Sequence, residues 1–416
     1  MITSMHHIRK NLDLELLRAV AILMTIAQHA EVLVFWPSSL QERLRVSLGL
    51  WAGVDLFFCI SGYIITRTFL ASAQSNALAW PVGARWPIAV EFWIKRVWRL
   101  WPAAWCWSAV AVLCALWFNT SGLFGQPGRM ARDALAAIFQ VANVHWAGCY
   151  HSDLSSCNFV DQARVNLLFP TGWALVVYWS LSLEEQFYLV TPLLMLLVPR
   201  RHLVLLLALV WLCLVPWSRP PLGVAWFFRV DALAVGVLLA FWSLRAVDAS
   251  QRAPTAPASM PVHQRAALQV LSLLAMAVLA WLGAPSRAAW PGLVSALSLI
   301  AGFLVWMASL DRRLLMPTGV LGGVLTWLGA RSYSMYLTHM LAYLGTRELW
   351  HRLGAAPEAH MALYGACALV LLLGLAELGY RLVEQPARRK GYRLAARYRA
   401  SRVSGQGVDR SDASAS

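Results

Sequence analysis

Apolar runs long enough to cross a bilayer recur along the whole chain, and this limits the fold more than any other feature of the sequence. A membrane core takes about 20 residues of helix. Runs of that kind lie near residues 12–35, 49–71, 98–118, 173–197, 203–218, 223–243, 266–284, 290–309, 319–345 and 361–382. Inside lipid a backbone must bond to itself, so runs of this length read as helices. The expected fold is all-α, a polytopic membrane protein of about ten transmembrane helices. With 59% hydrophobic and only 13% charged residues, the composition leaves little room for a soluble alternative. Twenty-two tryptophans fit the two headgroup layers of a bilayer.

The formal charge of +15 has topology as its reason. Cations gather between the apolar runs, at Lys95, Arg96 and Arg99, at Arg200 and Arg201, from Arg245 to Arg252, at Arg312 and Arg313, and in the tail RRKGYRLAARYRASR. With both termini cytoplasmic, every one of these falls on the inner side, as the positive-inside bias requires. No nucleic-acid partner is therefore expected; the lipid bilayer is. The basic start MHHIRK feeds a run long enough to remain as a span, so no leader is expected to be cleaved, and the location is the inner (cytoplasmic) membrane.

The stretch DALAAIFQVANVHWA, 133–147, has a short apolar core that suits an interfacial or re-entrant segment, because an eleventh span would reverse every later loop. Residues 119–172 are thus expected on the outer face. Cys149 and Cys157 bracket CYHSDLSSC there, and an oxidising compartment favours a disulfide between them. A metal site using His145 or His151 is the weaker reading, since the spacing matches no closed zinc pattern, and no metal is expected. Cys59, Cys106, Cys114, Cys213 and Cys367 lie in apolar runs and read as small buried hydrophobes. Residues 1–385 read as one transmembrane domain and 386–416 as a basic cytoplasmic tail with an unordered end. No internal repeat is evident.

Ionisable residues inside a bilayer are costly, and each raises a functional reading beside a structural one. Arg18 and His29 are eleven residues apart, which sets them on one face of the first helix, roughly 16 Å apart along its axis. Arg18 alone reads equally as a side chain snorkelling to the inner surface, and His29 as a neutral imidazole bonded to a neighbouring helix. Asp55, on the next and antiparallel run, lies at a depth similar to His29. A carboxylate beside a histidine fixes its tautomer and raises its basicity, whereas the structural reading of Asp55 is a helix cap. Glu184 and Glu185 adjoin in the fourth run, facing either a polar cavity or a structural partner; Arg229, Asp231 and His339 also fall in the outer half. The residues sort into two tiers. The outer tier holds His29, Asp55, Glu184, Glu185, Asp231 and His339; the inner tier is cationic, with Arg18, Lys95, Arg96 and Arg99. Cations of that kind suit phosphate, and coenzyme A joins phosphates to a long thin thioester arm able to span the gap between tiers.

Five ordered blocks then carry a resemblance along nearly the whole chain. The chain resembles the acyltransferase 3 family, whose Arg-x10-His signature is met by Arg18 and His29 and whose G-x-D-x-F-F-x-x-S-G-Y segment is met by Gly53 to Tyr63. Its K-R-x-x-R-x-x-P is met by Lys95 to Pro102, its W-S-L-x-x-E-E-Q-F-Y by Trp179 to Tyr188, and its S-Y-x-x-Y-L-x-H by Ser332 to His339. Glu15 and Leu16 depart from the family's L-D-G-L-R opening, and Tyr178 stands where a histidine often precedes the tryptophan block. The resemblance implies about ten helices and O-acylation, usually acetyl transfer from acetyl-CoA to a hydroxyl of a glycan, a lipid-linked saccharide or a small metabolite. It gives the catalytic role to His29 and a donor-related role to Arg18. The reading that follows is a membrane O-acetyltransferase acting on surface polysaccharide or its lipid-linked precursor. No cofactor is expected to be tightly bound; acyl-CoA is a co-substrate. His29 is expected to act as base or acyl carrier with Asp55 orienting it, and Glu184 and Glu185 to serve the acceptor side. Arg18, Lys95, Arg96 and Arg99 are expected to bind CoA phosphates, and Ser182, Asp231, Tyr336 and His339 to contact the acceptor. Some relatives carry an extra extracytoplasmic esterase-like domain, which the short tail here is not expected to supply. A small hydrophobic acceptor such as a macrolide is the alternative within the enzyme class. A secondary transporter or glycan flippase is the alternative outside it, disfavoured by the lack of paired repeats.

Overall fold

The computed structural model describes residues 11–33, 43, 46–76, 86–152, 173–221, 223–251 and 261–413. Among them there is no strand. The helices are α1 (Leu12–His29), α2 (Gly53–Asn76), α3 (Trp86–Trp117), α4 (Pro127–Ile138), α5 (Ala142–Ser152), α6 (Tyr178–Leu197), α7 (Arg200–Leu214), α8 (Asp231–Gln251), α9 (Val262–Leu282), α10 (Leu293–Ser309), α11 (Gly319–Arg352), α12 (Met361–Leu378) and α13 (Gln385–Ala413). Each apolar run read from the sequence carries a helix. Five stretches are long and apolar enough to cross a membrane by length and composition: Leu50–Ser72, Trp86–Trp117, Val224–Ser243, Val262–Leu282 and Pro357–Arg402. Helix α10 is a shorter apolar helix. Leu205, Leu209 and Leu212 on α7, Leu271, Leu273 and Leu274 on α9 and Leu369 and Val370 on α12 are all exposed, which fits contact with lipid tails rather than water.

Helix α1 is fixed at both its start and its flanks. The Asn11 side chain accepts from the Leu14 N–H at 3.0 Å, a capping bond at the first turn. Its Nδ2 donates to the Ala308 carbonyl at 2.7 Å. In the same first turn, the buried Asp13 carboxylate accepts from the backbone N–H groups of Leu314, Leu315 and Met316 at 2.8–2.9 Å, tying α1 to the chain between α10 and α11. Beyond that anchor Leu17, Ala19, Ala21 and Ile22 are wholly buried against α2 and α11.

Helices α2 and α8 cross at backbone contact. A Cβ added at Gly62 would lie 2.3 Å from the Leu233 carbonyl oxygen, and one at Gly236 would lie 2.3 Å from that of Cys59. Without a driving force from water, such small-residue contacts are how helices associate in lipid. This close crossing brings the N-terminal ends of both helices, and so Asp55 and the Arg229–Asp231 segment, to one place.

The 133–147 stretch divides between α4 and α5, helices of 12 and 11 residues, each too short to cross a bilayer, in keeping with a segment that does not span it. The basic tail forms α13, Gln385–Ala413. It packs on α3, with Ala395 buried, Gly391 against Trp98, and Arg399 paired with Glu91.

Candidate active site

Two cavities lie along α1, one beside Arg18 and one beside His29. The first, called the inner cavity after the expected topology, is lined by Arg18, Arg96 and Arg99 together with Ser61, Glu184, Tyr188, Ser332 and Tyr333. Arg18 donates from Nη2 to Ser332 Oγ at 2.9 Å and lies 3.6 Å from Glu15. Arg96 is held between the rings of Phe92 and Tyr188, each at 5.5 Å. Three guanidinium groups facing one carboxylate give this cavity a cationic balance that suits a phosphate-bearing ligand.

The second, the outer cavity, is lined by His29, Thr25 and Gln28 of α1, by Trp51, Trp173, Trp179 and Trp226, and by Arg229. Val54 and Tyr336 line both cavities, so the two share a wall. The Tyr336 hydroxyl is pinned there by Ser180 Oγ at 2.6 Å and by the Val177 carbonyl at 3.1 Å.

The bonding of His29 decides its tautomer. Buried His339 places Nδ1 2.8 Å from the Tyr336 carbonyl, which requires the proton on Nδ1 and leaves Nε2 as an acceptor. His29 Nδ1 lies 3.0 Å from the Thr25 carbonyl and 3.2 Å from that acceptor nitrogen. Both partners need a donor, so the His29 proton sits on Nδ1 and Nε2 keeps its lone pair. A neutral imidazole with Nε2 unprotonated is the form that accepts a proton from a hydroxyl.

The structure brings His29, His339 and Tyr336 together, and Arg18, Arg96 and Arg99 together, but it rearranges the other expected partners. Asp55 does not meet His29; its carboxylate lies 3.5 Å from Arg229 across the α2–α8 crossing, and His339 takes the place beside the imidazole. Glu184 belongs with the cations of the inner cavity, where it accepts from Ser61 and Tyr188. Glu185, on the next helical position, turns away and accepts from Trp101 Nε1 at 3.0 Å. Lys95 lies outside the inner cavity, paired with Glu91 at 2.5 Å beneath the Tyr392 ring of the tail helix. Asp231 lines neither cavity: it takes a two-pronged contact from Arg219 at 2.5 and 2.7 Å and one from Ser295 at 2.6 Å. Ser182 accepts from the Ala142 N–H at 3.1 Å, a joint between α6 and α5. Cys149 is buried and disulfide-bonded; Cys157 lies outside the described residues. His145 meets Asp133 at 2.8 Å. The residue that sequence reasoning left without a role is Arg229, and its signal was available: an arginine two residues before an aspartate at the start of an apolar run.

The Acyltransferase domain of the acyltransferase 3 family matches residues 11–378, nearly the whole described chain. The chain belongs to the acyltransferase 3 family. It is 27% identical over 401 residues to the peptidoglycan O-acetyltransferase OatA of Listeria monocytogenes, covering 90% of this chain and 55% of that protein. It is 26% identical over 401 residues to the putative peptidoglycan O-acetyltransferase YrhL of Bacillus subtilis, covering 91% of this chain and 55% of that protein. It is also 26% identical over 367 residues to the O-acetyltransferase OatA of Staphylococcus aureus, covering 83% of this chain and 54% of that protein. The chain thus spans about half the length of the curated relatives it matches. No solved structure matches it.

Proposed function

We propose that this chain is a membrane O-acetyltransferase that carries an acetyl group from acetyl-CoA, taken up at the cytoplasmic face of the inner membrane, to a hydroxyl of a glycan or its lipid-linked precursor. The observation that carries the reading is a histidine with an unprotonated Nε2 in a cavity that shares a wall with a second, arginine-lined cavity. Ten membrane-crossing helices with both termini inside put Arg18, Arg96 and Arg99 toward the donor and His29 toward the acceptor. The names of the relatives support acetyl as the group transferred and a glycan as its destination.

In this reading the phosphates of the donor bind the arginines, and the thioester arm extends past Val54 and Tyr336. His29 Nε2 takes the proton of the acceptor hydroxyl while that oxygen attacks the thioester carbonyl. The new C–O bond forms, the C–S bond breaks, and the proton passes to the leaving thiolate, giving the ester and free CoA. Nδ1–H keeps its contacts to the Thr25 carbonyl and His339 Nε2, which hold the ring in place as it becomes charged. Mass spectrometry of surface glycan from cells with the wild-type chain, with His29→Ala and without the chain tests the reading. Acetyl ester is expected only with the wild type. Equal acetylation in the His29→Ala cells at matched protein level would refute it.

A further inference from the structure

Arg229 and Asp55 are each 1% exposed and form an ion pair at 3.5 Å, and of the two Arg229 lines the outer cavity. The guanidinium is boxed by the rings of Trp226 at 3.7 Å, Trp51 at 4.9 Å and Trp179 at 5.0 Å. None of its three nitrogens and neither oxygen of Asp55 has a hydrogen bond among the described residues. A fork of five N–H donors and a carboxylate with about four acceptor positions are thus buried side by side with their hydrogen-bonding capacity unspent. The other fully buried ion pair among the described residues is built differently, since Asp231 is satisfied by Arg219 and Ser295. Buried polar groups without partners are rare and costly, and each calls for an explanation.

The chemistry of the pair selects the ligand. An anion would meet the Asp55 charge; an apolar alcohol would leave both groups unpaired. Neighbouring polar groups of an uncharged sugar ring, a hydroxyl or an N-acetyl amide, offer what both sides lack: an oxygen to accept from the guanidinium and an O–H or N–H to donate to the carboxylate. The flanking indoles supply flat apolar walls for the C–H faces of such a ring. We propose that the Arg229–Asp55 pair is the acceptor anchor: it holds polar groups of a neutral sugar near the hydroxyl that His29 deprotonates. The inference rests on the glycan reading of the acceptor given above.

The test uses the full chain in nanodiscs with radiolabelled acetyl-CoA and soluble peptidoglycan strands as the acceptor probe. Arg229→Ala alone would strand a buried carboxylate and risks misfolding. The informative variant is therefore the double substitution Arg229→Met with Asp55→Leu, which removes both charges at similar volume. Direct binding of acetyl-CoA serves as the check on folding. The KM for glycan strands is expected to rise at least tenfold while acetyl-CoA affinity stays within about twofold. Arg229→Lys, which keeps the charge and loses the fork, is expected to fall between the double variant and the wild type. An unchanged glycan KM in a variant that binds donor normally would overturn the proposal, and so would a parallel loss of both affinities, which marks a folding element. Wild-type protein that acetylates no glycan strand would sink the glycan reading itself before any variant is compared.

Discussion

Removing the Arg18 side chain separates donor binding from chemistry more cleanly than any other change. Arg18 already commits Nη2 to Ser332 Oγ at 2.9 Å and lies 3.6 Å from Glu15, so only part of its fork is left for a ligand in the inner cavity. One or two charge-assisted hydrogen bonds remain to be lost, each worth roughly 1.5–3 kcal/mol. At about 1.4 kcal/mol per tenfold, a single lost bond weakens donor binding by roughly 10- to 150-fold. Arg96 and Arg99 line the same cavity and limit the loss to that range rather than to complete release. His29 lines only the outer cavity, so His29→Ala should bind acetyl-CoA like the wild type and yet transfer nothing. The assay is equilibrium binding of radiolabelled acetyl-CoA to purified protein in nanodiscs, run beside single-turnover transfer. Equal donor affinity in Arg18→Ala and the wild type would refute a donor site at the arginines. So would a histidine variant that alone loses binding.

His339→Ala removes the acceptor nitrogen that shares the His29 Nδ1 proton; turnover should fall about tenfold or more with donor affinity unchanged, and a variant at full speed would leave His339 a packing residue. Gly62→Ala drives a methyl into the Leu233 carbonyl at the α2–α8 crossing and should cost about 1–3 kcal/mol. Gly323→Ala, with nothing within 4 Å, is the control, and equal thermal unfolding of the two would contradict the close crossing. Asp231→Asn strands the buried Arg219 and should cost about 3–5 kcal/mol in apparent stability, read by thermal unfolding in nanodiscs, while acetyl-CoA affinity of the folded fraction is retained.

The sequence made the helices legible because apolar length is a one-dimensional property. It made His29 and Arg18 legible because eleven residues along one helix fix both their face and their separation. Their neighbours across the bundle were less accessible. Counting residues from an outer surface gives depth but not direction, so Glu184 and Glu185 were read as one pair although successive positions on a helix point about 100° apart. Asp55 was matched to His29 by depth, yet its partner is set by how closely α2 meets α8, and that distance is decided by Gly62 and Gly236, two residues without side chains. Lys95, Arg96 and Arg99 form one basic cluster in the sequence, but the helix turns Lys95 out to Glu91 while Arg96 and Arg99 face in. Arg229 carries no motif assignment; its place two residues before an aspartate at the start of an apolar run marks it in the sequence, but the missing hydrogen bonds that single it out are visible only in the fold.

The wall of Val54 and Tyr336 between the two cavities has an electrical consequence. A protein that passes an acyl arm through a bilayer, as proposed above, risks becoming a leak for protons and ions, and a membrane potential is worth about 2.3 kcal/mol per elementary charge for each 100 mV. Much of that voltage would drop across the few ångströms of low-dielectric side chain that part a watery inner cleft from a watery outer one. Among the described residues the two cavities share only an aliphatic group and a phenol fixed by Ser180 and Val177, neither of them a carboxylate or an imidazole. An uncharged thioester arm crosses such a field without electrical work, and it fills the gap it opens. The donor would then be its own stopper, and insulation of the membrane would be lost only in the interval after free CoA withdraws and before the tyrosine settles back.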